Sequence, residues 1–105
     1  MLKQLRNANT ARQVEWANGG TLSLAYKGNE LAGEVGEACN IIKKLEREAL
    51  GIAGSRATVA ELAEELADVV ICVDLIALEL GIDLETALRD KFNKTSLKVG
   101  LETRL

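Results

Sequence analysis

The chain has 105 residues, enough for one domain with a modest core, and oligomerisation is the expected way for so short a chain to finish burying its apolar surface. At 48% hydrophobic residues it is too apolar for disorder, and with only 3% aromatics its core of Leu, Ile, Val and Ala suits helix packing better than a sheet. The formal charge of −3 argues against a nucleic-acid binder, whose domains carry a basic face, but leaves room for a phosphorylated ligand bridged to the protein by a cation.

In chain order, four helical segments and no strand are expected. Met1–Gln13 is polar and lacks the apolar stretch of a signal peptide. The first helix runs from about Leu2 to Ala17 and stops at Asn18-Gly19-Gly20. Thr21–Gly28 reads as a connector, with room for an early helix start. The second helix runs from about Asn29 to Leu50, where Gly51-Ile52-Ala53-Gly54-Ser55 breaks it. Thr58 is placed to cap the third helix, and Glu61 three residues on completes a capping-box pattern. That helix ends at Leu80, before Gly81. Asp83 caps the fourth, which runs to about Val99 and stops at Gly100, leaving Leu101–Leu105 as an irregular tail. The longest apolar run, Val69–Val73, is too short to span a bilayer, so a cytoplasmic protein without membrane association is expected. Cys39 and Cys72 read as reduced core or near-core residues. Without a histidine, two cysteines do not complete a zinc site.

At about 100° per residue the faces of these helices separate. On the second, Leu31, Val35, Ala38, Ile42 and Leu45 form an apolar stripe beside an acidic one, Glu30, Glu34 and Glu37. On the third, Leu62, Leu66, Val69, Val73, Ile76 and Leu80 form the apolar stripe, and Glu61, Glu65, Asp68 and Cys72 another face. From Val69 to Leu78 the third helix is apolar almost all round, with Asp74 the exception. Burial on several sides is therefore expected, by a second subunit or by the first and fourth helices.

Glu34 and Glu37 lie three apart, which puts their Cβ atoms about 5–6 Å from each other, and Glu65 and Asp68 repeat the arrangement. Helices joined by a short break pack as antiparallel neighbours, which brings the two pairs into one cleft. Four carboxylates there repel one another unless some protonate or a cation joins them. The donors are all hard oxygens, which favours Mg²⁺, Mn²⁺ or Ca²⁺, and Mg²⁺ in particular accepts substrate phosphate oxygens beside protein carboxylates. Acidic residues that merely solvate an outer helix face are the competing explanation. On the fourth helix Lys91, Lys94 and Lys98 share a face that suits phosphates equally as well as it suits solvent near a helix C-terminus. Asn93 falls on a different face.

The stretch Glu30-Leu-Ala-Gly-Glu34-Val-Gly-Glu37-Ala followed by Glu64-Glu65-Leu-Ala-Asp68-Val resembles the MazG-like all-α nucleotide pyrophosphohydrolases, whose hallmark is ExxE, a spacer, then ExxD. Gly81-Ile-Asp83-Leu-Glu-Thr-Ala-Leu and Lys91-Phe-Asn-Lys94 are similar to the segment that follows, so the likeness covers Gly28 to Lys98. Gly33 stands where many members carry a second glutamate. The resemblance implies one four-helix-bundle-like domain over residues 1–105, completed as a homodimer or homotetramer. It also implies hydrolysis of a nucleoside triphosphate to the monophosphate and pyrophosphate. Under it Glu34, Glu37, Glu65 and Asp68 are the catalytic Mg²⁺ ligands (Mn²⁺ being the substitute), Lys91 and Lys94, with Lys98 and Asn93 nearby, bind phosphate, and Glu30 and Glu61 orient water or support the ligands. Trp16 either stacks on a base or anchors its helix. Three other functions fit the same residues: a phosphoribosyl-ATP pyrophosphohydrolase, a non-catalytic nucleotide- or metal-binding module, and a structural helical oligomer.

Overall fold

Three short polar side chains start three of the helices. Ser23 Oγ accepts from the Tyr26 amide at 3.1 Å, Thr58 Oγ1 from the Glu61 amide at 3.1 Å, and Asp83 Oδ1 from the Thr86 amide at 3.2 Å. In a computed structural model, which describes residues 1–105, the result is an all-α chain: α1 (Leu2–Trp16), α2 (Leu24–Ala49), α3 (Val59–Glu79) and α4 (Leu84–Lys98). Of the Thr58–Glu61 capping box only the bond accepted by Thr58 is made. At the end of α3 Gly81 adopts φ 65°, and the chain closes with Ile82 N–H donating to Ala77 O at 2.8 Å, satisfying a terminal carbonyl.

The second helix begins earlier than Asn29. Gly28 and Asn29 lie inside it because the Ser23 cap nucleates a turn ahead of them, and Lys27 in that first stretch is buried. The α2–α3 link is pinned by Arg47, which donates to Ser55 O at 3.0 Å; Gly54 sits so close that a Cβ there would lie 2.8 Å from the Arg47 guanidinium.

Helices α2 and α3 form the principal pair, antiparallel, and α1 lies against another side of α3. Two polar networks tie the three together. Lys27 Nζ at the start of α2 reaches Glu79 Oε2 at the end of α3 (2.7 Å) and Gln13 Oε1 of α1 (3.4 Å). Arg6 Nε donates to Asp74 Oδ1 at 3.0 Å, Asn9 Nδ2 to Asp74 Oδ2 at 3.0 Å, and Arg6 Nη2 to Ile82 O at 3.0 Å. Asp74 is only 1% exposed, so these bonds carry its full solvation.

The apolar stripes are less covered than their spacing implies. Ala38 is the one member of the α2 stripe that is buried, while Val35 and Ile42 are exposed. On α3, Leu66 and Val70 are each 48% exposed. Helix α1 covers one side of α3, but α4 does not cover another: it projects from the Gly81–Asp83 turn and only grazes the rest of the fold. The radius of gyration is 17.1 Å, against about 13 Å for a compact domain of this length. The accessible surface is 7631 Å², against roughly 5,700 Å² for a compact chain of this mass. Cys72 is buried as expected and Cys39 is exposed, because Cys39 falls on the open side of α2 with Val35 and Ile42; both are free thiols.

Candidate active site

The antiparallel α2–α3 pair sets Glu65 against Glu34 and Glu37. One carboxylate oxygen from each of the three lies within 4.8 Å of the others. Glu34 and Glu65 are half-buried, and their Oε2 atoms are shielded from water yet accept no hydrogen bond. Shielded acceptors need a partner, and nothing in the surrounding protein supplies one. The electrostatics agree. Burial pushes the Glu34 carboxyl above its ordinary value, reinforced by the charges of Glu37 and Asp68, by the proton it could share with the Glu37 carboxyl and by the charge of Glu30. The proton that Glu65 could share with the adjacent Glu37 carboxyl pushes Glu65 up most, followed by burial and the charges of Glu37, Glu34 and Asp68. A bound divalent cation reverses both effects, since it stabilises the ionised form of every carboxylate around it. The donor set is carboxylate oxygen alone, because burial and the charges of Glu30, Glu34 and Asp68 push the neighbouring Cys72 thiol up and keep it neutral. Oxygen donors of this kind fit Mg²⁺ or Mn²⁺.

Asp68 stands one turn along α3 from Glu65. Its charge reaches Glu34 and Glu65, although its oxygens are not among the three that meet. Asp68, Glu34 and Glu30 line a cavity of about 650 Å³ together with residues of the C-terminal half of α1 and the start of α2. That volume lies in the range of small-molecule sites. Trp16, which is 79% exposed, also lines it, with the Arg12 guanidinium 5.9 Å from its ring centre. The other candidates lie elsewhere. Glu61 is exposed at the start of α3, where its amide serves the Thr58 cap. Lys91, Lys94 and Lys98 are exposed on α4, and none of them lines the cavity. Asn93 receives the Leu105 amide at 2.7 Å and so holds the tail against α4.

Comparison with known families identifies the family of the chain. A family model described as the MazG nucleotide pyrophosphohydrolase domain matches residues 24–98. The chain belongs to that family. The matched segment starts with α2 and ends with α4, so it contains both acidic pairs and leaves α1 outside. No curated protein and no solved structure matches the chain at a significant level. Membership assigns nucleotide pyrophosphohydrolase chemistry in general, and the glutamate cluster is the part of this MazG chain suited to the divalent metal on which such chemistry depends.

Several residues of this neighbourhood are not marked in the sequence. Arg6, Asn9, Gln13, Lys27 and Glu79 form the struts that hold α1 and α2 on α3, and Arg12 and Tyr26 line the cavity. The one local signal was Asp74, a charge inside an otherwise apolar helix, which demanded a partner from elsewhere in the chain.

Proposed function

We propose that this MazG-family chain, as a single domain over residues 1–105, hydrolyses nucleoside triphosphates, ribo or deoxy, to the monophosphate and pyrophosphate by attack of water at the α-phosphorus. The observation that carries the reading is the meeting of Glu34, Glu37 and Glu65 within 4.8 Å, with two shielded oxygens lacking any partner, beside a cavity of nucleotide size. Glu34, Glu37 and Glu65, with Asp68 alongside, would hold Mg²⁺, or Mn²⁺ in its place. The cation supplies charge neutralisation for the polyphosphate and makes water a stronger acid.

The residues do the rest. Glu34 and Glu65 are held by their half-buried positions and would fix where the cation, and through it the phosphate chain, can lie. A carboxylate oxygen of the cluster that is not engaged by the cation accepts a proton from the attacking water as the new P–O bond forms. The bond from the α-phosphorus to the bridging oxygen breaks, and the electron pair leaves with pyrophosphate. Glu30, which lines the cavity, orients water beside the ligands.

The assembled form in this reading is a homodimer or homotetramer. The exposed Val35, Ile42, Leu66 and Val70 and the roughly 1,900 Å² of excess surface support it: burying that much on each of two copies gives about 3,800 Å² in total, within the range of obligate homodimer interfaces. Assembly also gives the lysines their part. Lys91, Lys94 and Lys98 lie away from the cavity within one protomer, so in this proposal α4 of a second copy brings them to the phosphates, where they neutralise the departing pyrophosphate.

The test is to incubate the protein with a panel of ribo- and deoxynucleoside triphosphates in Mg²⁺ or in EDTA and identify the products. Monophosphate and pyrophosphate, formed only with the metal, are expected. Diphosphate and free phosphate would place the attack at the γ-phosphorus and contradict the mechanism.

A further inference from the structure

Helix α1 is held at its middle. Asn9 is the midpoint of Leu2–Trp16 and the one buried residue of that helix, and its Nδ2 donates to Asp74 Oδ2 at 3.0 Å and to Ile71 O at 3.3 Å. Arg6, one turn earlier, donates through Nε to Asp74 Oδ1 at 3.0 Å. Asp74 is itself buried, and leaving its charge unpaired would be costly, so this is the firm attachment of α1 to α3.

The two ends are held differently. Toward Trp16 the only side chain bonded outside the helix is Gln13, which accepts from Lys27 Nζ at 3.4 Å; Val14 and Trp16 are exposed, and the link that follows has positive φ at both Asn18 and Gly19. This end lines the cavity through Arg12, Gln13 and Trp16. The other end faces α4. Leu2 lines a small cleft with Leu88 and Leu105, and Arg6 Nη2 donates to Ile82 O at 3.0 Å. At about 1.5 Å per residue, the stretches from Asn9 to either end are arms of about 10 Å each.

For α4 the Arg6 bond is the decisive tie. No side chain of α4 makes a hydrogen bond or ion pair with α1, α2 or α3: Thr86 pairs with Asp83 in the preceding turn, and Asn93 with the tail at Leu105. Leu88 and Phe92 are exposed, so packing does not fix its direction either. The Gly81–Asp83 turn closes α3 and caps α4, but the Ile82 carbonyl between those two closures is bonded to Arg6 alone.

We infer that α1 is a lever that turns on Asn9 and Asp74 and links the cavity at one end to the direction of α4 at the other, with Arg6 the positioning residue that holds α4. A ligand that displaces the Trp16 end tilts α1 about Asn9 and carries Leu2, and by less Arg6, the opposite way. The Ile82 carbonyl follows Arg6 or loses it. Helix α4 extends about 22 Å from that turn, so rotation at its base is magnified at Lys94 and Lys98. The linkage is reciprocal: whatever fixes α4 also fixes the cavity wall. Any ligand that fills the cavity works the lever, and the proposed hydrolysis enters only in the choice of probe.

The experiment reads α4 directly. Spin labels are placed on Glu46→Cys of α2 and Thr95→Cys of α4, both exposed, in a Cys39→Ser chain whose remaining Cys72 is buried. The labelled chain is diluted with unlabelled chain so that only distances within one copy are read by double electron–electron resonance. The unaltered chain should give one narrow distribution. Gln13→Ala frees the cavity end without touching α4, and should shift or broaden that distribution by about 2 Å or more. Arg6→Lys should do the same with helix content unchanged, because lysine keeps a charge on Asp74 but is one bond too short to reach Ile82 as well. Glu15→Ala, exposed on α1 and bonded to neither end, should change nothing. Mg²⁺ with the α,β-imido analogue of dUTP should move α4 in the unaltered chain and not in Arg6→Lys. An unchanged distribution in Gln13→Ala overturns the lever, as does one in Arg6→Lys, or an analogue that quenches Trp16, the single tryptophan, without moving α4. Movement in Gln13→Ala with no binding of the analogue keeps the lever and removes the nucleotide reading; hydrolysis of triphosphates with α4 unmoved in Gln13→Ala does the reverse.

Discussion

Two groups of acids on α3, barely two turns apart, have opposite fates. Asp74 and Glu79 at the C-terminal half are matched: Asp74 by Arg6 and Asn9, Glu79 by Lys27. Glu65 and Asp68 at the N-terminal half face Glu34 and Glu37 and find no cation among the protein's own side chains. The first group holds α1 and α2 on α3. The second stores repulsion, and a fold that retains such repulsion gains from it only when something positive binds. Burial of charge by itself therefore does not mark a site here; burial of charge without a partner does.

The comparison can be broken at either end. The largest effect expected is on activity. Glu37→Gln or Asp68→Asn should abolish Mg²⁺-dependent turnover while circular dichroism shows the helices intact; unchanged turnover in both would remove these residues from the site. At the other end, Arg6→Met leaves the Asp74 carboxylate buried with Asn9 alone. That should cost on the order of 3 kcal/mol in chemical denaturation. A loss within error would mean that the pair is not structural.

The two ends also differ in pH response. The Glu34 and Glu65 carboxyls are raised in the folded chain, so their contribution to stability is fully present below the ordinary carboxylate value and is lost as pH rises through their folded values. In EDTA the melting temperature should therefore fall as pH rises above about 4.5. Asp83 works in the opposite direction: hydrogen bonds from the Thr86 amide and hydroxyl hold it low, and its contribution disappears as pH falls through that lowered value. Melting curves across pH that show no metal-sensitive fall on the high side would contradict the stored repulsion. The smallest effect is Thr58→Ala, which removes one cap and should cost about 1 kcal/mol with no change in metal dependence.

Much of this molecule is written locally. The caps at Thr58 and Asp83 and the stops at Gly19, Gly81 and Gly100 are short-range chemistry, and the helices end where those residues dictate. ExxE and ExxD spacing is equally local, and pairing two helices was enough to bring Glu34, Glu37 and Glu65 together. What failed to show was set by distance along the chain. Gly28-Asn29 looked like a boundary because the stronger cap at Ser23 and the long-range partner of Lys27 carry no sequence mark. The stripe of Leu31, Val35, Ala38, Ile42 and Leu45 gives the apolar face but not what covers it, and Val35 and Ile42 remain open. The spacing of Lys91, Lys94 and Lys98 gives a basic face but not the direction in which α4 leaves the Gly81 turn, which within the chain is away from the carboxylates.

The central claim is that the unmatched acids of α2 and α3 form a divalent-cation site. The most direct test is a Mg²⁺ titration of the melting temperature at neutral pH, for the unaltered chain and for Glu65→Gln. The account predicts that Glu65→Gln is the more stable of the two in EDTA, because one repelling charge is gone, and that Mg²⁺ stabilises the unaltered chain but not the variant. Equal stabilisation of both by Mg²⁺, or none of the unaltered chain, would contradict it.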